Sequence, residues 1–112
     1  MEIKDTLIIA KEFVDNPGAR DREDGPNSGQ EFLEDIFIAR FNKAIEGNYL
    51  IMVDLTGVLG YPSSFVSGSF GKLSIERGSA LLLKHLKFKS DNNPLNVDKV
   101  IYEIKNPTPP KK

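Results

Sequence analysis

The chain has 112 residues, a net charge of -1, 39% hydrophobic and 28% charged side chains, and a mean hydropathy of -0.31. That is the balance of one soluble domain able to bury a core, and near-neutrality argues against nucleic acid or anionic lipid as partner. The absence of cysteine excludes disulfides and thiolate chemistry. No apolar run approaches the roughly 20 residues of a membrane span, and Met1–Asp5 is charged where a signal peptide is apolar, so the expected compartment is the cytoplasm.

Ile3 to Val14 is rich in β-formers and reads as a first strand or hairpin. Residues 15–27 follow, with two Pro, two Gly, two Asn and no large apolar side chain, and are expected as an exposed loop. Ser28 and Glu31 have capping-box spacing, the Ser hydroxyl accepting the Glu31 amide and the carboxylate reaching back to the Ser28 amide. A helix from about Gly29 to Glu46 then carries Leu33, Ile36, Phe37, Phe41, Ala44 and Ile45 as one stripe, and Gly47 reads as its left-handed stop.

Tyr49 to Leu55 is nearly continuous in apolar residues, as in a central strand covered on both faces. Thr56 to Pro62 breaks it, and Ser63 and Ser64 have the chemistry to cap a second helix running to about Leu73. Gly68 and Gly71 lie inside that helix, where they permit close backbone approach. A short helix over Ser79–Leu86, a strand over Leu86–Lys89, a turn at Asn92-Asn93-Pro94 and a helix over Val97–Ile104 complete a domain spanning 1–106. The Pro/Lys tail 107–112 is expected to be flexible. The order β-α-β-α-α-β-α predicts a small α/β sandwich with a mixed central sheet and helices.

The chemical motifs are mostly negative. The lone His85 reads as an exposed helix-end residue, and with no cysteine it provides no ordinary zinc site. Gly71-Lys72 lacks the upstream Gly and the following Ser or Thr of a phosphate-binding loop, and Gly57 and Gly60 lack the third glycine of a dinucleotide fingerprint. Ser67 and Ser69 flank Gly68 in the wrong order for a nucleophile elbow. Lys84, His85, Lys87 and Lys89 make only a small basic patch. What remains is the junction after Asp54, where a Gly-rich turn leads to two serines at a helix start, a place that suits a bound or attached phosphate.

The run from Tyr49 through Phe65, with Asp54-Leu55-Thr56-Gly57-Val58, Ser63-Ser64-Phe65 and Phe70-Gly71, resembles the strand-turn-helix of STAS domains. Those domains occur in anti-sigma factor antagonists and anion-transporter tails. The chain is most similar to the bacterial STAS-like family, some members of which are joined to histidine-kinase-type ATPase domains. Ser28-Gly29-Gln30-Glu31-Phe32 resembles the start of that family's preceding helix.

The resemblance implies a STAS-like fold and a non-catalytic regulatory module without cofactor or metal. Its partner would be a histidine-kinase-type ATPase or an anti-sigma factor; apart from the resemblance, a domain that merely forms a homodimer is the plain structural alternative. In the antagonists a serine of this turn is phosphorylated, and the added charge abolishes binding. By position that role falls to Ser63 or Ser64, with Asp54, Thr56, Gly57, Tyr61 and Ser67 as the surrounding candidates. Pro62 stands where the antagonists have Asp and Phe65 where they have Gly, and Phe65 reads as a core anchor. The alternative is an anion- or nucleotide-binding domain using Ser63-Ser64 with Arg20 or Arg22 from the loop. A third reading, an enzyme, would need Asp21, Glu23 and Asp24 to gather a metal, although a solvated acidic loop explains them as well.

Overall fold

The first strand is shorter than its composition suggests. In the computed structural model, which describes residues 1–109, β1 covers Ile3–Ile8 and the chain then coils into a single helical turn, α1, at Ile9–Glu12. The cause is local: the Glu12 carboxylate accepts the Ile8 amide at 2.8 Å, and Phe13 and Val14 both donate to the Ile9 carbonyl. A hairpin is therefore replaced by a turn that drives Ile9 into the core.

Helix α2 spans 29–47 as α-helical Gly29–Phe32 and Ile38–Gly47 around a π-helical turn at Leu33–Phe37. Ser28 caps it as expected, accepting the Glu31 amide at 3.0 Å. The Glu31 carboxylate reaches the amide of Asn27 at 3.2 Å rather than that of Ser28, because Asn27 is left-handed (φ 60°) and turns its N–H toward the helix. At the other end the left-handed residue is Asn48 (φ 56°), with Gly47 still helical.

Strand β2, Leu50–Asp54, lies between β1 and β3, Leu86–Lys89. Helix α3 spans 63–77, as Ser63–Val66 and Lys72–Arg77 around a second π-turn at Ser67–Gly71. Helix α4, Ser79–His85, precedes β3, and α5, Leu95–Lys105, follows it. The α/β fold is as expected, but the sheet is parallel rather than mixed, because each strand pair is joined through helices that return the chain to the same end.

Leu7, Val53 and Phe88 stand side by side across the sheet on the face that meets the helices. Phe32, Phe37 and Phe70 pack over them, with Phe37 and Phe70 centroids 5.0 Å apart and Phe70 and Phe88 5.6 Å apart. The opposite row, Thr6, Ile8, Leu50, Met52, Asp54, Lys87 and Lys89, is half-buried or exposed. The apolar run over β2 is thus fully covered on one face only.

One expectation of exposure is corrected, and one loop is more closely held than expected. His85 is buried, its Nδ1 lying 2.9 Å from the Tyr49 carbonyl and its ring edge-on to Phe41, a site created by chain 36 residues away. The 15–27 segment is ordered against the helices: Pro17 is buried, and the Ala19 and Arg20 carbonyls accept the Gly29 and Gln30 amides at 2.8 and 3.0 Å. Its backbone, buried Pro17 and the Arg20 guanidinium make the contact, with no large apolar side chain involved. The expected flexible tail begins pinned, with Thr108 donating to the Glu103 carboxylate through its amide at 2.7 Å; residues 110–112 lie outside the described residues.

Candidate functional site

The carboxyl ends of β2 and β3 lie side by side, and the turn that leaves β2 is built on that edge. The Leu55 amide donates to the Lys89 carbonyl at 2.8 Å, while Lys89 Nζ lies 3.8 Å from the Asp54 carboxylate. Asp54 accepts the Thr56 amide at 3.0 Å and so closes the first bend, the turn-fixing role its position suggests. The Thr56 hydroxyl accepts the Asp91 amide at 2.9 Å. Gly57 takes φ 94°, a left-handed value for which its lack of Cβ is the reason.

Three asparagines bolt the rest of the turn in place. Asn92 accepts the Gly57 amide at 3.3 Å and donates to the Val58 carbonyl at 3.1 Å. Asn93 donates to the Leu59 carbonyl at 3.2 Å, and buried Asn96 to Val58 at 3.4 Å. The result is a leucine, Leu59, held 87% exposed on a fixed backbone. Sequence reasoning sees Asn92 and Asn93 only as a turn; the signal it passes over is the cluster of three amide side chains within five positions.

Tyr61 is the buried pivot of the turn. Its hydroxyl donates to the Leu55 carbonyl at 3.3 Å, and its ring packs on Phe65, itself fully buried as the core anchor expected. Burial, and then the negative charge of Asp54, pushes the Tyr61 phenol above its ordinary range. The Tyr61 carbonyl accepts Lys99 Nζ at 2.7 Å.

Ser63 and Ser64 follow, both exposed, as the first two residues of α3. They do not cap it. Pro62 occupies the cap position with φ -58° and ψ 141°, its carbonyl taking the Val66 amide, so the helix is already under way at Ser63. Neither serine hydroxyl has a hydrogen-bond partner among the described residues.

The two serines face different cavities. Ser64 lines one of about 600 Å3 with Arg20, Asp21, Asp24, Lys72 and Glu76. Ser63 lines another of about 520 Å3, together with Asp98, Lys99, Tyr102 and Glu103. Ser67 lies apart from both, buried beneath the 15–27 segment, where it accepts Arg20 Nη1 at 2.6 Å. Arg22 points away from the serines to Glu34 at 3.2 Å and Asp35 at 2.7 Å, and chiefly through the Asp35 bond its guanidinium is held above its ordinary range. Of the two loop arginines only Arg20 lies with a candidate serine.

Asp21 and Asp24 are occupied locally, the Asp24 carboxylate accepting the Asp21 amide at 3.3 Å. Among the described residues, no three acidic or imidazole side chains gather as a metal site, and no helix is long and apolar enough to cross a membrane.

No curated protein and no solved structure matches the chain. A family model does: that of the STAS-like domain of unknown function (DUF4325), over residues 28–96. The match takes in α2, the sheet strands β2 and β3, the bolted turn and both exposed serines, and on that basis the chain belongs to the STAS-like family.

Proposed function

We propose that the domain is a non-catalytic regulatory module that docks a protein partner on the surface from Thr56 to Leu73, with Ser63 or Ser64 as a phosphorylation switch. The observation that carries this reading is the pair of exposed, uncommitted hydroxyls on the first turn of α3, beside a rigidly held turn. A phosphate there would sit among free helix amides at the positive end of the helix dipole, so the fold would tolerate the charge that a docked partner would have to desolvate. Membership of the STAS-like family supports a protein-interaction role.

The test has two parts. Mass spectrometry of the protein isolated from its own cells should find phosphate on Ser63 or Ser64. Ser63→Asp or Ser64→Asp should weaken capture of the protein that co-purifies with the wild type, with the fold unchanged. Unaltered capture by both variants removes the switch and leaves a plain scaffold.

A second reading is a small-anion or nucleotide site in the 600 Å3 cavity, where Ser64, Arg20 and Lys72 would have to outweigh the carboxylates of Asp21, Asp24 and Glu76. Titration with phosphate, ATP and GTP, followed through the amide resonances of Ser63 to Val66, separates the two. Silence there disposes of the second.

A further inference from the structure

The two edges of the sheet, β1 and β3, are finished differently. Along β1 the groups that point away from β2 are already engaged. Arg40 of α2 donates to the Thr6 carbonyl at 2.9 Å, and the Glu12 carboxylate accepts the Ile8 amide at 2.8 Å. The same guanidinium grips Asp5 through two bonds, at 3.0 and 2.7 Å, and pairs with Glu12. A charged clamp closes this edge, one of the ways a sheet is kept from pairing with other chains.

Strand β3 has no such clamp. Along a strand the N–H and C=O of successive residues turn to opposite sides. The Lys89 carbonyl takes the Leu55 amide at 2.8 Å, so Lys87 and Lys89 turn theirs toward β2, and Phe88 turns both of its groups outward. Neither has a hydrogen-bond partner among the described residues. The side chains alternate as well. Phe88 is half-buried against Phe70, in the row with Leu7 and Val53, while Lys87 and Lys89 stand exposed on the open face of the sheet. Lys89 Nζ lies 3.8 Å from the carboxylates of Asp54 and Asp91, whereas Lys87 forms no ion pair among the described residues.

We propose that the free edge of β3 receives an extended segment of another protein, in which acidic residues alternate with apolar ones. Its backbone pairs with the outward groups of Phe88, and its carboxylates stand beside Lys87 above all. Its apolar side chains, on the other face, continue the row of Leu7, Val53 and Phe88. A second copy of this chain does not fit. Strand β3 meeting its own copy about a two-fold axis sets lysine opposite lysine in every register, and β1 of a copy is closed by Arg40 and Glu12. The lysines thus bar self-pairing and leave the edge to a strand of opposite charge. The edge includes no residue of 56–73, so the inference stands apart from the docking surface and the serine switch.

Amide resonances of the 112-residue chain, titrated to about 1 mM with a heptapeptide of alternating glutamate and valine, test it. The Phe88 resonance should move and its solvent exchange should slow, while Ile3–Ile8 stays unmoved. Lys87→Glu should weaken this peptide about three- to tenfold and favour one of alternating lysine and valine instead. Two further peptides keep every side chain but carry backbone N-methyl groups, on all valines or on all glutamates. One of them should lose binding: the first if the strand adds antiparallel, the second if it adds parallel. Absence of binding, shifts centred away from β3, equal affinity for Lys87→Glu, or binding retained by both methylated peptides overturns the proposal.

Discussion

Arg20 Nη1 donates to the Ser67 hydroxyl at 2.6 Å, joining two residues 47 positions apart across the seam between the 15–27 segment and α3. The Arg20 carbonyl rests beside Gly68 so closely that a Cβ there would collide with it. Gly68→Ala should therefore destabilise the fold by about 1–3 kcal/mol in chemical denaturation, because the obstacle is backbone held by its own bonds to α2. Arg20→Ala, which removes one hydrogen bond, should cost about 1 kcal/mol and speed amide exchange at Gly29 and Gln30. Protection there unchanged by Arg20→Ala would show that the backbone bonds alone secure the strap.

Three serines at helix starts should separate by role. Ser28 is buried and caps α2, so Ser28→Ala should cost about 1 kcal/mol. Ser63→Ala and Ser64→Ala should change stability by less than about 0.5 kcal/mol, since neither hydroxyl caps α3. Thermal unfolding of the three variants side by side decides it. An equal loss in all would return a capping role to Ser63 and Ser64.

Alkaline pH should act through Tyr61. Burial first, and Asp54 second, raises its phenol, so the folded state keeps a proton that the unfolded state releases above its ordinary value of about 10. The stabilisation is complete below that pH and is lost as pH climbs through the folded-state value. Urea midpoints measured from about pH 8 to 11 should fall more steeply for the wild type than for Tyr61→Phe. Parallel slopes would remove Tyr61 as the cause.

The asparagine bolts should be worth more than an exposed turn usually is. Asn92→Ala leaves the Gly57 amide without its acceptor and the Val58 carbonyl without one of its two donors. It should cost about 1–2 kcal/mol and raise exchange at Gly57 while β2 stays protected. Unchanged exchange would mean that Asn93 and Asn96 hold the turn unaided.

Helix α2, strand β2 and the glycine contacts of α3 were legible because their signals are local: periodicity, a cap and a short spacing. The buried Leu33, Phe37, Phe41 and Ala44 stripe follows directly from residue steps of three and four. The burial of His85 and the docking of the 15–27 segment were not legible, since their partners, the Tyr49 carbonyl and backbone groups of α2, belong to distant chain. At the candidate site, the exposure of the serines followed from their place after β2. Their failure to cap did not, because it depends on Pro62 having already turned the chain.

The π-turn at Ser67–Gly71 has a consequence for chain length. A π-turn spans one residue more per hydrogen bond than an α-turn, and the Ser69 hydroxyl donates to the Phe65 carbonyl at 2.8 Å within it. Removing one residue from this stretch would let the helix close up into regular winding while Leu73 still pointed inward. The surplus residue works as slack, allowing the middle of α3 to be shortened by one position without rotating everything downstream.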